Sequence, residues 1–157
     1  MAASKAFQTL GSSEGEPFNF VFVSGVGATL EPGRWTALYG RVKGETEAAL
    51  AGLRKANPLF RALSVRPAMV DPTTHDAVKP YLPNHATATK LLAVFGPPTK
   101  MLLPSFHSPT QDLGRVFTEL AMGRHADQLA GTKGVQMVGD FPILSNIAFR
   151  SLAALGK

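Results

Sequence analysis

The chain contains no cysteine, and that absence excludes a disulfide framework, a thiolate zinc site and a cysteine nucleophile together. Charge is sparse as well. Asp, Glu, Lys and Arg make up 17% of the residues against 45% hydrophobic ones, a balance too apolar for an intrinsically disordered polymer. No stretch reaches the roughly 18 continuous apolar residues of a membrane span. The opening MAASKAFQTLGSSEG lacks the apolar core of a signal sequence. The expected address is the cytosol, with no membrane contact.

What is present is a chain of 157 residues, long enough for one domain with a core that needs no disulfide or metal. The net charge of +5 raises the question of a nucleic-acid partner. The lysines and arginines are spread singly, however, and the denser groups, Arg54 with Lys55 and Arg61 to Arg66, carry no interleaved aromatics. No nucleic acid is expected. His75, His85, His107 and His125 lie far apart with no carboxylate or second histidine at helical spacing, so no metal site is expected either.

Along the chain, Ala2 to Leu10 reads as a helix end closed by Gly11-Ser12-Ser13. Phe18 to Val23, FNFVFV, is a run of aromatic and β-branched residues with little polar alternation, which predicts a strand buried on both faces of a parallel sheet. Helical periodicity follows from about Trp35 to Lys55, with Leu38, Val42, Ala49 and Leu53 on one apolar stripe. Trp35 at its start reads as a buried or half-buried aromatic rather than a pocket wall. Asn57-Pro58 ends the helix. Phe60 to Val65 is a second buried strand that halts at Arg66-Pro67, because proline cannot donate to a central ladder. Strand, helix, strand predicts a crossover between parallel strands and a ligand site at their carboxyl ends, where Ser24 and Pro67 lie.

The rest is less regular. Prolines at 72, 80, 83, 97, 98, 104 and 109 break Asp71 to Pro109 into short pieces with one helix from about Asn84 to Val94, and the apolar Leu91 to Phe106 stretch suits a lid, a subunit contact or core. A helix from Ser108 or Thr110 to about Met122 carries Leu113, Val116, Phe117 and Leu120 on one face, with Gly123 as its stop. Gly134 to Val138 reads as the last strand. Leu144 to Leu155 reads as a terminal helix with Ile147, Ala148, Leu152 and Leu155 inward. The class is α/β.

The chemistry rests on Tyr39 and Lys43, four apart on a helix and so side by side on one face. An ammonium beside a phenol stabilises the phenolate and makes it a usable general acid or base. A hydroxyl at the nearby strand end, Ser24, is placed to hydrogen-bond the substrate oxygen. Glu45 and Glu47 on the same helix are i and i+2, do not share a face and read as solvent-facing.

In this order, FVFVSG, YGRVKGETE and SVRPAMVDP resemble the serine strand, active-site helix and following strand and loop of the short-chain dehydrogenase/reductase superfamily. The likeness is to its extended or atypical branch related to nucleotide-sugar epimerases, and it covers about Phe18 to Pro72. SPTQDLGRVFTELAMG, from Ser108 to Gly123, is similar to a carboxyl-terminal helix of the same proteins.

The resemblance implies a partial Rossmann-like, doubly wound parallel sheet with a helical carboxyl-terminal region. One domain would span 1–157, with a catalytic unit over 18–72 and a lid and terminal helices over 73–157. It implies an NAD(P)-dependent oxidoreductase or epimerase acting on a small-molecule substrate, with NADP or NAD as cofactor. Tyr39 would be the acid/base, Lys43 would hold the nicotinamide ribose, and Ser24 would contact the reacting oxygen. Pro67, Met69 and Val70 would lie against the nicotinamide.

The family's glycine-rich turn, where backbone amides and a helix amino terminus hold the pyrophosphate, has no counterpart here. Gly25-x-Gly27 lacks both the third glycine and the helix start. The chain therefore reads as the carboxyl-terminal half of such an enzyme, expected to be inactive alone and to self-associate through an open sheet edge. The alternative is a non-catalytic truncated remnant serving as a binding or assembly module, or a gene-model fragment.

Overall fold

The two apolar runs do pair. In the computed structural model, which describes residues 2–8, 10, 15–82 and 104–154, helix α1 (Ala2–Phe7) precedes β1 (Phe18–Val23), and α2 (Leu38–Ala56) carries the chain to β2 (Phe60–Val65). β1 and β2 lie parallel and in full register from Phe18 opposite Phe60 to Val23 opposite Val65. Next come β3 (Met69–Asp71), β4 (His107–Pro109), α3 (Thr110–Ala121), β5 (Val135–Val138), β6 (Phe141–Leu144) and α4 (Asn146–Leu152). The main sheet has the order β1-β2-β6-β5, with β6 parallel to β2 and only β5 antiparallel. β3 and β4 form a separate parallel pair. The protein is mixed α/β with a mostly parallel sheet.

Side-chain alternation along β2 divides the core. Phe60 and Ala62 join Leu50 of α2, Phe141 and Ile143 on one face, with Phe18, Phe20 and Phe22 against them. Leu63 and Val65 turn the other way, onto Leu113, Val116 and Leu120 of α3 and Ala148 and Phe149 of α4. Phe60, Phe141 and Phe149 are fully buried, each stabilising the fold by about 1.5–3 kcal/mol relative to exposure. Leu113, Val116 and Leu120 are buried with Phe117 packed beside them, and Gly123 turns the chain after α3 with φ +74. The sequence stripe of that helix is the observed one.

Five expectations are corrected. β1 is half-buried along most of its length, and Val23 is exposed, because β1 is the edge strand of the described sheet and has a neighbour on one side only. The buried face of α2 is Gly40, Gly44, Glu47 and Leu50, while Leu38 and Val42 face solvent. Glu47 is therefore not solvent-facing. Trp35 is 91% exposed, outside the helix, with the Arg34 guanidinium 5.7 Å above its ring. The terminal helix starts at Asn146, not Leu144, and Ile147 is half-exposed. The helix expected at Asn84 to Val94, and Leu155, lie outside the described residues.

The strand that sequence patterning missed is β6, where Pro142 speaks against a central strand. The structure shows why it is tolerated. Arg66 N donates to Leu144 O at 2.8 Å, so Leu144 and, by the two-residue period, Pro142 turn toward β2. Pairing with β2 begins at Ile143, so the missing N–H of Pro142 falls where no ladder bond is required.

The seating of α2 follows from small residues. A Cβ on Gly44 would run into the Thr29 carbonyl and one on Gly40 into the Gly27 carbonyl, so this helix approaches the loop after β1 backbone to backbone. Glu47, on the same face, is fully buried. It accepts from Ser64 Oγ at 2.7 Å and from Arg66 Nε and Nη2 at 3.0 and 2.5 Å. A buried charge survives only when paired and hydrogen-bonded, and removing one partner leaves the other uncompensated. Glu47→Ala is expected to cost about 3–5 kcal/mol, read as a lowered midpoint in urea denaturation, whereas Glu45→Ala on the exposed face should lie within about 0.5 kcal/mol of the parent.

Candidate active site at the carboxyl ends of the parallel strands

The ladder between β1 and β2 continues past the strands, with Ser24 N donating to Val65 O at 2.8 Å and Val26 N to Pro67 O at 3.0 Å. The turn Ser24 to Gly27 is thereby held beside Arg66 and Pro67. The first turns of α2 lean over it. The Tyr39 hydroxyl lies where a Cβ on Gly25 would be, and Lys43 Nζ donates to Val23 O at 2.9 Å while standing 6.0 Å from the Tyr39 ring and 4.9 Å from that of Phe22. Tyr39, Lys43 and Ser24 are thus brought to one end of one strand, as the helical spacing and the strand boundary predict. Tyr39 is 52% exposed. Ser24 is buried, and its Oγ has no hydrogen-bond partner among the described residues.

Lys43 has a second consequence. Phe18 N bonds Leu59 O and Ser24 N bonds Val65 O, so the even positions of β1 face β2 and Asn19, Val21 and Val23 present their backbone groups outward. The ammonium caps the last of those carbonyls, a device that shields part of a sheet edge.

Beside this turn a cleft of about 240 Å³ opens at the ends of β2 and β6, lined by Val26, Arg66, Ala68, Phe106, Asn146 and Ile147 among others. Its floor is a hydrogen-bonded knot. Ser108 Oγ donates to Asn146 Oδ1 at 2.6 Å, Ala68 N approaches both Ser108 Oγ and Asn146 Oδ1 at 3.3 Å, and Asn146 Nδ2 donates to Ser105 O at 2.6 Å. His107 Nε2 meets the buried Asp71 carboxylate at 2.6 Å across the β3–β4 pair. These ties fasten the short sheet to α4. At the opposite, amino-terminal end of the strands a depression of about 90 Å³ lies near Asn19, Arg61 and Asp140, room for a few waters.

Arg66, Asn146, Ser108 and the Asp71–His107 pair were not singled out from the sequence. For Arg66 a signal existed: Gly40, Gly44 and Glu47 fall on one helical face, and an acid among glycines is poor company for a solvent face. For Asn146 there was none, because it follows the unrecognised β6.

Of the residues assigned to the nicotinamide, Pro67 is buried, Met69 is partly buried and Val70 is half-exposed, the last two on β3. Val26 and Gly27 form a turn that runs on into a loop, and α2 begins only at Leu38, so Gly25-x-Gly27 does not lead directly into a helix as a pyrophosphate-binding turn does. Among the described residues no three His, Asp or Glu side chains gather as metal ligands, and no helix is long and apolar enough to cross a membrane.

Fold and site together define a mixed α/β protein whose polar side chains collect at the carboxyl ends of its parallel strands. The chain is 40% identical over 156 residues to Botcinic acid biosynthesis cluster B protein 16 of Botryotinia fuckeliana (strain B05.10), an alignment covering 99% of this chain and 98% of that one, and it belongs to that protein's family. No protein-family model and no solved structure matches it.

The contact between Tyr39 and Gly25 can be checked directly. Gly25→Ala should cost about 1–3 kcal/mol by overpacking. In a Tyr39→Phe background, which removes the nearest atom, the cost should shrink, giving a coupling of about 0.5 kcal/mol or more in a double-mutant cycle. Additive costs would show that the hydroxyl does not rest on Gly25.

Proposed function

We propose that the chain is an NAD(P)-linked oxidoreductase or epimerase of the short-chain dehydrogenase/reductase type, with a Rossmann-like sheet, working on a small molecule in the cytosol. The observation that carries the reading is the convergence of the Tyr39 hydroxyl and the Lys43 ammonium on the Ser24–Gly25 end of β1. The parallel strand-helix-strand unit supports it, since ligands of such sheets sit beyond the carboxyl ends of the strands. The relative's name ties that protein to botcinic acid biosynthesis, and a role here in building a small molecule agrees with it.

In this reading Tyr39 gives a proton to, or takes one from, the substrate oxygen. Lys43 stabilises the charge that develops on the phenol oxygen and offers its remaining N–H groups to a ribose. Pro67, Met69 and Val70 provide an apolar wall. The nicotinamide, when bound, would supply or accept the hydride.

A second reading is favoured by specific observations: the Ser24 hydroxyl is buried and Lys43 already holds the Val23 carbonyl. Here the chain is a non-catalytic binding or assembly module, self-associating through the part of the outward β1 edge that Lys43 leaves uncapped.

Titration with NADPH and NADH, followed by nucleotide fluorescence, separates the two. Without a pyrophosphate cradle, several charge-assisted hydrogen bonds of about 1.5–3 kcal/mol each are missing, so binding in the millimolar range is expected. It should weaken in Lys43→Ala and persist in Tyr39→Phe. Binding indifferent to Lys43→Ala would sink the redox reading and leave the module.

A further inference from the structure

We infer that the cleft at the ends of β2 and β6 takes an uncharged, largely apolar small molecule bearing a hydrogen-bond-accepting oxygen, and rejects diphosphate-bearing substrates. The inference rests on the redox reading only in treating this cleft as the substrate's place.

Arg66 borders both the 240 Å³ cleft and an adjoining one of about 210 Å³ that is lined by Thr29, Leu30, Glu31, Arg66 and Gln136. It is the one cation lining either cleft among the described residues, and Glu47 neutralises it through Nε and Nη2. Among the described residues the other charged side chain in these walls is Glu31, an acid in the adjoining cleft. Among the described residues, a diphosphate entering the 240 Å³ cleft would lose water and meet no uncommitted positive charge, and one reaching into the adjoining cleft would also face the Glu31 carboxylate; an unpaired buried anion is strongly disfavoured. Neutral ligands meet no such penalty.

The polar groups at the rim narrow the class further. Asn146 spends its oxygen on Ser108 and Ala68 and its amide on Ser105. The Ser145 hydroxyl, without a hydrogen-bond partner among the described residues, is buried beside Gly134 and shows the cleft no surface. What remains is the Nη1 corner of Arg66, a donor with no partner among the described residues, and it calls for an acceptor such as a carbonyl or hydroxyl oxygen. Val26, Ala68, Phe106 and Ile147 offer apolar surface to the rest of the molecule. The volume lies below the about 300–1,000 Å³ of drug-sized sites, so the occupant is compact.

The test uses the full chain and ¹⁵N-resolved NMR without any nucleotide cofactor. Cyclohexanone serves as the neutral probe and uridine diphosphate as the charged one. Cyclohexanone should shift the Ala68 and Ile147 amides and the Asn146 side-chain amide, and uridine diphosphate should leave them in place. Ile147→Trp, at a half-exposed rim position where folding tolerates bulk, should fill the cleft and weaken cyclohexanone binding by about tenfold or more. Shifts of these signals by uridine diphosphate, no shift by cyclohexanone, or unchanged cyclohexanone binding in Ile147→Trp would each overturn the inference. Because no cofactor is present, the outcome does not depend on whether Lys43 binds a nucleotide, and the two readings fail separately.

Discussion

The buried carboxylate of Glu47 is the constraint around which the rest is arranged. It lies on the face of α2 that meets the sheet, and it is matched by Ser64 near the end of β2 and by the Arg66 guanidinium just beyond. Such a pair gives little net stability by itself, since desolvation consumes most of the attraction, but it tolerates only one arrangement of its partners. It therefore fixes where α2 sits along β2. Once that is set, Gly40 and Gly44 face the loop after β1, and the same rotation carries Tyr39 and Lys43 to the Ser24 end of β1. Site and fold share one determinant.

That determinant also shapes the chemistry next door. A free arginine at the mouth of the cleft would make it an anion site; an arginine already held by Glu47 is a directional donor with its charge spent. The clamp of Ser108, Asn146 and Ala68 on the other wall acts similarly, because its polar groups satisfy one another and leave apolar surface to the cleft. Polar side chains are concentrated here, yet most are committed to building the walls.

How much of this could be read beforehand varied with the range of the interaction. Phe18 to Val23 and Phe60 to Val65 were legible as strands, and their parallel pairing followed from the helix between them. The apolar stripe of α3 was legible from its period. The burial of α2 was misread because Leu38 and Val42 form the more hydrophobic stripe, while the helix in fact docks through glycines that allow close approach. β6 lies in a stretch that patterning left unassigned before the expected helix at Leu144, and its Pro142 is forbidden only where a ladder bond is needed, which depends on where pairing with β2 begins.

The sequence by itself determined the local things: which segments extend, which coil, and that Tyr39 and Lys43 share a helical face beside a strand ending in Ser24. Each of these depends on neighbours within a few residues, where backbone periodicity and steric limits act. Only the tertiary structure decided which face of α2 is buried, that β1 stands at an edge of the described sheet, that Arg66 is neutralised by Glu47, and that Val26, Arg66 and Ile147 line one cleft. Those outcomes join residues from well-separated parts of the chain, and desolvation and packing choose among them only when all the partners are in place.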